Sequence, residues 1–332
     1  MTVPPPPGMS QQVCDFARPP AAPRLGAARS RSLLIEPKRA DRDRAPTALL
    51  LLLNGLVLTT HTMLARQAGQ GGASPVLYAF ASAAGAAAFL AVFRALRQPG
   101  SALAAPVYVF GAIAGLVSIA VPQVLIYSAS AYVSAGVASL AYAFPTPLTY
   151  VLARLAGLER ASTGRTIGIV IAFCGALMLA FSRSPVSGEG FWIILAMLAP
   201  ISIAGGNIYR AKFWPEGSTP LDLALAMSAG AALWLGLLGL VSGGIAQLSF
   251  VAASGWLILL AVPALAAFGN LIYFELQKAG GIVSFSQIGY AGAVLGLFGG
   301  YLVLGESYSL WIWMAALVIA AGIVVSEMFR AR

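Results

Sequence analysis

One pattern occurs twice along this chain, 145 to 147 positions apart. The run "SAAGAAAFL" around Gly85 returns as "MSAGAALWL" around Gly230. "GLERAS" at Gly157–Ser162 returns as "LGESYS" at Leu304–Ser309, and Glu159 and Glu306 are offset by 147, as are Gly175 and Gly322. Both copies are almost wholly apolar. A duplicated apolar unit with an odd number of membrane spans must insert its second copy upside down, which is the architecture of carriers that open alternately to the two sides of a bilayer.

Composition supports the membrane reading. The sequence is 59% hydrophobic and 9% charged, with a mean hydropathy of +0.84, against about 25% charged residues in a soluble domain. A helical span needs roughly 20 apolar residues, which gives room for about ten. Long Leu/Ala/Gly/Val runs exclude the short alternating segments of a β-barrel. The net charge of +9 does not describe a nucleic-acid face, because the basic residues sit in short loops and a tail. Cys14 and Cys174 make neither a disulfide framework nor a metal site.

Apolar runs and breakers predict an all-α integral membrane protein of ten helices, at roughly 46–66, 74–93, 103–127, 132–154, 165–182, 189–210, 220–242, 254–276, 282–303 and 310–328. Residues 1–45 are Pro-, Ala- and Arg-rich without apolar period and read as a disordered basic tail. Placing the tail in the cytoplasm puts 18 Lys/Arg on that side: eight in the tail, with Arg94, Arg97, Arg154, Arg160, Arg165, Arg210, Lys212, Lys278, Arg330 and Arg332. Only Arg66 and Arg183 lie opposite, making the count 18 to 2. The first five-helix repeat is then 46–183 and the second, inverted, is 189–329, with both termini cytoplasmic. The small residues, Gly111 and Gly115 among them, suit close helix packing.

The fourth and fifth spans, "SAGVASLAYAFPTPLTYVLARLAGLER" (134–160) and "IGIVIAFCGALML" (167–179), resemble the EamA family of the drug/metabolite transporter superfamily. Pro145 matches a mid-helix proline, Gly157-Leu158-Glu159 approximates a Gly-Glu turn and Gly175 a late glycine; Gly305-Glu306 and Gly322 repeat the turn and glycine in the second half. The ninth span departs from the pattern, with Gly292 at the proline position, and Asn54-Gly55 stands where many members have Trp-Gly. The resemblance covers about residues 46–329. It implies a ten-helix, N-in and C-in carrier of the bacterial-type inner membrane that exports amino acids or other small metabolites, with an importer or a multidrug-type exporter of the same superfamily as the alternative. It also implies a central cavity lined by helices 1, 3, 4, 6, 8 and 9. Helices 5 and 10 then lie at the back, where a homodimer contact is expected.

Polar groups at membrane depth are costly and mark candidate sites. The first span places Asn54 and His61 on one face. His61 and Asn207 are offset by 146, Gln123 and Asn270 by 147, so the pairs fall on corresponding spans of the two halves. Tyr78, Tyr127, Tyr142, Tyr273, Gln287 and Tyr290 complete the substrate-binding candidates. His61, the only histidine, and Glu275, the carboxylate well inside a span and three residues before Lys278, are coupling candidates. Each also has a plain reading, His61 as a hydrogen-bonded packing residue and Glu275 as half of an interfacial ion pair. Pro122, Pro145, Pro147, Pro200 and Pro263 fall inside spans and predict kinks; Pro145, Pro147 and Gly292 are the hinge candidates.

Other classes fit less well. One histidine cannot supply an HExxH metal pair, no GxSxG elbow is present, and Asp222 is the only Asp outside the tail, so an enzyme is not expected. No GxxxxGK[ST] loop offers an ATPase engine, and no charged ring or carbonyl filter suggests a channel. No cofactor is implied; the expected partners are the lipid bilayer and a small-molecule substrate. With every Lys and Arg assigned to loops, tail or span ends, the deep spans offer no fixed charge, and the cargo reads as neutral, zwitterionic or moderately apolar.

Overall fold

Leu96, Leu155, Val241, Leu302 and Leu310 are each more than 70% exposed on the outer faces of their helices. So broad an apolar exterior does not suit water; it suits lipid, where only the backbone must be satisfied internally. The computed structural model describes residues 44–70, 72–130, 132, 142–180, 190–242, 256–303 and 307–329, and these form an all-helical bundle compatible with a multi-pass membrane protein. The helices are α1 (Arg44–Gln70), α2 (Pro75–Arg97), α3 (Ala105–Gly115), a π-helical turn (Leu116–Ala120), α4 (Val121–Ser130), α5 (Pro145–Leu155), α6 (Thr163–Ala180), α7 (Gly190–Lys212), α8 (Pro220–Val241), α9 (Trp256–Ser286), α10 (Ile288–Val303) and α11 (Leu310–Met328). Among the described residues seven helices are long and apolar enough to cross a membrane, and Thr163–Met178 and Ile288–Gly299 are shorter apolar helices. Most of the basic tail, Arg183, the Gly305-Glu306 turn and the beginning of the predicted fourth span lie outside the described residues.

Glycine decides how closely the helices approach. α3 packs on α8 with Gly111 and Gly115 against the backbones of Ala226 and Ala231, and Gly230 of α8 against Gly111 itself. Gly85 of α2 meets Pro263 of α9, so the two glycines of the repeated motif both sit in helix–helix seams. α6 packs on α11, where Gly175 faces Ile319 and Gly322 faces Ala172. α1 packs on α10 through Gly55 and Gly292. A side chain at Gly55, Gly111, Gly115, Gly230 or Gly322 would meet backbone at under 3 Å and hold the helices apart.

The predicted kinks have specific outcomes. The π turn ends just before Pro122, which has no N–H and crowds the carbonyl four residues earlier. Beside it, the Val117 carbonyl accepts a hydrogen bond from Ser202 Oγ of α7 at 2.7 Å. Pro200 and Pro263 lie inside α7 and α9. Pro145 and Pro147 do not interrupt a helix: Pro145 opens α5 and Pro147 falls in its first turn, where a missing N–H forfeits no helical bond. The expected break between the eighth and ninth spans falls at Gly281, with φ 72°, at the end of the predicted 277–281 connection, and a second, one-residue break follows at Gln287. Gly157, at φ 69°, ends α5. The Leu158 N–H donates back to the Ala153 carbonyl at 2.8 Å, which is how a left-handed glycine closes a helix. Glu159 then accepts from Arg165 of α6, which also donates to Ser284 of α9.

Candidate functional site

A cavity of about 170 Å³ lies between α1, α2, the π turn, α4, α7, α8 and α9, with residues flanking α5 and α10. That is small against the roughly 300–1,000 Å³ of pockets for drug-sized molecules. Much of its wall is apolar, with Val57, Leu58, Ile119, Ile126, Ile203, Met227 and Phe285 among the lining residues. The polar groups are few and grouped.

One group surrounds His61. Its Nδ1 is 2.8 Å from Tyr127 Oη and its Nε2 is 2.8 Å from Ser82 Oγ. A neutral imidazole is suited to two hydroxyls, since one ring nitrogen donates and the other accepts while each hydroxyl does either. Tyr78 stands one layer behind, with its hydroxyl donating to the His61 carbonyl at 3.2 Å and its ring edge-on to both His61 and Tyr127. His61, Ser82 and Tyr127 line the cavity.

A second group surrounds Arg210, which is 0% exposed. Its Nη2 donates to Asn207 Oδ1 and to Tyr273 Oη, each at 2.6 Å. Its Nε donates to Gln277 Oε1 at 3.2 Å, and its Nη1 hydrogen-bonds Ser118 Oγ. The guanidinium carbon stacks over the rings of Tyr273 and Phe285 at 4.8 and 5.2 Å, a cation–π arrangement. Asn207 Nδ2 in turn donates to Thr149 Oγ1 of α5 at 2.9 Å. Ser118, Asn207, Tyr273 and Phe285 line the cavity, so the guanidinium sits directly behind its wall.

Between the groups, Asn54 donates to the Gly269 carbonyl at 3.4 Å and Asn270 to Ser228 Oγ at 2.9 Å. Gln123 also lines the cavity, and its buried Oε1 has no partner.

Of the residues proposed from sequence, Asn54, His61, Gln123, Tyr127, Tyr142, Asn207, Asn270 and Tyr273 therefore converge on one cavity. Tyr78 braces it from behind. Gln287 and Tyr290 do not line it: Gln287 Nε2 donates to Ser326 Oγ and Glu327 Oε1 at 3.0 and 2.9 Å, and Tyr290 is buried against Ala143, Ala172 and Ala176. Glu275 is exposed on the outer surface and forms no ion pair with Lys278, also exposed; it is not among the residues that line the cavity. Of the hinge candidates, Pro145 lines the cavity, while Gly292 is a packing point whose carbonyl accepts from Thr59 Oγ1 at 2.7 Å.

Sequence reading missed Ser82 and Ser118, which are ordinary in an apolar helix. It also took Arg210 for a charge at the cytoplasmic end of its span. The available signal was Asn207-x-x-Arg210, three residues apart and so on one helical face.

No protein-family model matches the chain, and no curated protein matches it. A solved structure described only as "Crystal structure of protein" matches with a TM-score of 0.64 at 16% identity, covering 86% of this chain and 98% of that one. At that identity the likeness establishes a shared fold and leaves the cargo to be argued from the cavity.

Proposed function

We propose that this chain is a secondary carrier of small metabolites, a member of the EamA type within the drug/metabolite transporter superfamily, exporting amino acids or related compounds by alternating access. The observation that carries the reading is a cavity lined from both sequence halves: Asn54, His61, Ser82, Ser118, Gln123 and Tyr127 come from the first, Asn207, Asn270, Tyr273 and Ser286 from the second.

The packing pattern supports a duplicated layout. Exchange the first five predicted spans for the last five, and the most extensive contacts find counterparts. α3 on α8 corresponds to α9 on α2, α1 on α10 to α7 on α5, and α1 on α9 to α7 on α4; α6 with α11 and α2 with α8 correspond to themselves. An inverted repeat holding its ligand between two such halves can rock one against the other. The Lys/Arg distribution favours cytoplasmic termini. The outer faces of α6 and α11, with Ile167, Val170, Leu310 and Leu317 exposed, are available to lipid or to a second copy.

The test is counter-transport. Purified protein in liposomes is expected to show saturable uptake of a labelled amino acid or similar metabolite, accelerated by unlabelled solute inside. Non-saturable flux without acceleration would assign a channel instead, and accessibility tags placing the termini on opposite sides would remove the inverted layout.

A further inference from the structure

The Arg210 guanidinium is buried with no carboxylate partner among the described residues. Among the described residues, Glu159 pairs with Arg165 and Asp222 with Arg94, Glu327 accepts from Gln287, and Glu216 and Glu275 are exposed. Every hydrogen-bond acceptor around Arg210 is a neutral amide or hydroxyl. A buried charge ordinarily demands an opposite one. The C-terminus of α7, two residues on, supplies at most about half an elementary charge of the right sign.

From this we propose that Arg210 is the anion-binding centre of the cavity, and that the molecule bound there carries a carboxylate. The proposal deepens the carrier reading by naming its substrate class: small monoanions or zwitterions recognised through the carboxylate, with the amino group dispensable.

The geometry suits that role. Three of the four partners of Arg210, namely Ser118, Asn207 and Tyr273, also line the cavity. A carboxylate arriving there meets a planar fork of N–H donors held by neutral acceptors. It competes with them because it brings the full opposite charge that the neutral acceptors lack, and its two oxygens can accept parallel N–H bonds from the fork. Tyr273 accepts from Arg210, which leaves its own O–H free to donate to the same carboxylate. At the other group of polar residues, His61 meets only hydroxyls. No acidic side chain is among the lining residues, so an ammonium group has no ionic partner there. Among the described residues Arg210 is the one buried cation whose hydrogen-bond partners line the cavity, which selects a single negative charge over a polyanion. The bland account is that Arg210 merely ties α7 to the π turn and to α9. That account predicts loss of stability on substitution and no dependence on a ligand's carboxylate.

The experiment measures ligand-induced shifts in melting temperature of the purified full chain in detergent at neutral pH. The probes are lactate, isovalerate and benzoate, each beside its amide and its amine, with L-valine as a zwitterion. Carboxylates and L-valine are expected to stabilise the wild type, and amides and amines to leave it unmoved. Arg210→Gln should abolish the shift, read against its own ligand-free baseline. Arg210→Lys keeps the charge but loses the fork, and should weaken the response by about 10- to 100-fold in concentration. Amides that stabilise as well as carboxylates, carboxylates that stabilise nothing, or a full carboxylate shift in Arg210→Gln would each overturn the proposal. The wild-type comparison decides even if a variant fails to fold. Proteoliposome exchange of the same probes separates the two readings. Carboxylate stabilisation without exchange keeps the anion site and removes the carrier. Saturable exchange of amides or amines, unchanged in Arg210→Gln, keeps the carrier and removes the anion site.

Discussion

Replacing Gly230 by alanine tests whether the α3–α8 seam is set by backbone contact. A Cβ built at Gly230 lies 2.6 Å from the Gly111 carbonyl carbon and 2.8 Å from Ala112 Cα, and it also meets the Gly111 carbonyl oxygen, whereas ordinary contacts begin at 3.4 Å. The deficit is several tenths of an ångström or more. Every atom met is backbone, so no side chain can swing aside and the helices must separate. Overpacking of this kind costs about 1–3 kcal/mol, while alanine recovers up to about 1 kcal/mol of helix propensity. The net expectation is a loss of about 1–2 kcal/mol. Gly205 of α7 is the control: it is exposed, and nothing lies within 4 Å of its built Cβ. Gly205→Ala should therefore be neutral or stabilising by about 0.5–1 kcal/mol. Thermal unfolding of both variants in one detergent, followed by thiol accessibility or intrinsic fluorescence, makes the comparison. A Gly230→Ala protein as stable as Gly205→Ala would refute the argument that these glycines fix the interhelical distance.

Asp222 accepts from Arg94 Nε at 2.7 Å and closes a capping box with Thr219, so Asp222→Asn should cost about 1–3 kcal/mol in the same assay. Arg94→Ala should be less than additive with it, and full additivity would show that the pair does not interact. Glu275→Gln is expected to leave transport and its pH dependence unchanged, because the side chain is exposed away from the cavity; loss of pH-driven flux would return Glu275 to the mechanism. His61→Ala removes both hydrogen bonds that order Tyr127 and Ser82 at the cavity wall. It should raise the half-saturation concentration by up to about 30-fold, since two lost bonds of about 1 kcal/mol each sum to about 2 kcal/mol; a variant with wild-type kinetics would assign His61 to packing alone.

Composition is enough to assign the solvent of this fold. A chain that is 59% hydrophobic and 9% charged cannot present a surface to water, and segments long enough to cross lipid must be helical to satisfy their own backbones. The candidate residues followed from the same reasoning, because a polar side chain in an apolar run stands out whatever lies beside it. That is why Asn54, His61, Gln123, Asn207 and Asn270 were legible and do meet at one cavity. What a helix pattern does not encode is the rotation of one helix against its neighbours. Gln287 and Tyr290 read as a cavity-facing pair, yet the breaks at Gly281 and Gln287 precede α10, and both residues are buried away from the cavity. Glu275 read as an intramembrane acid, yet it faces outward. Arg210 read as one more charge in a cytoplasmic count. Only the convergence of the π turn, α7 and α9 makes it a buried cation with neutral partners. Charge counting along a chain is one-dimensional, whereas desolvation depends on which elements close around the charge in space.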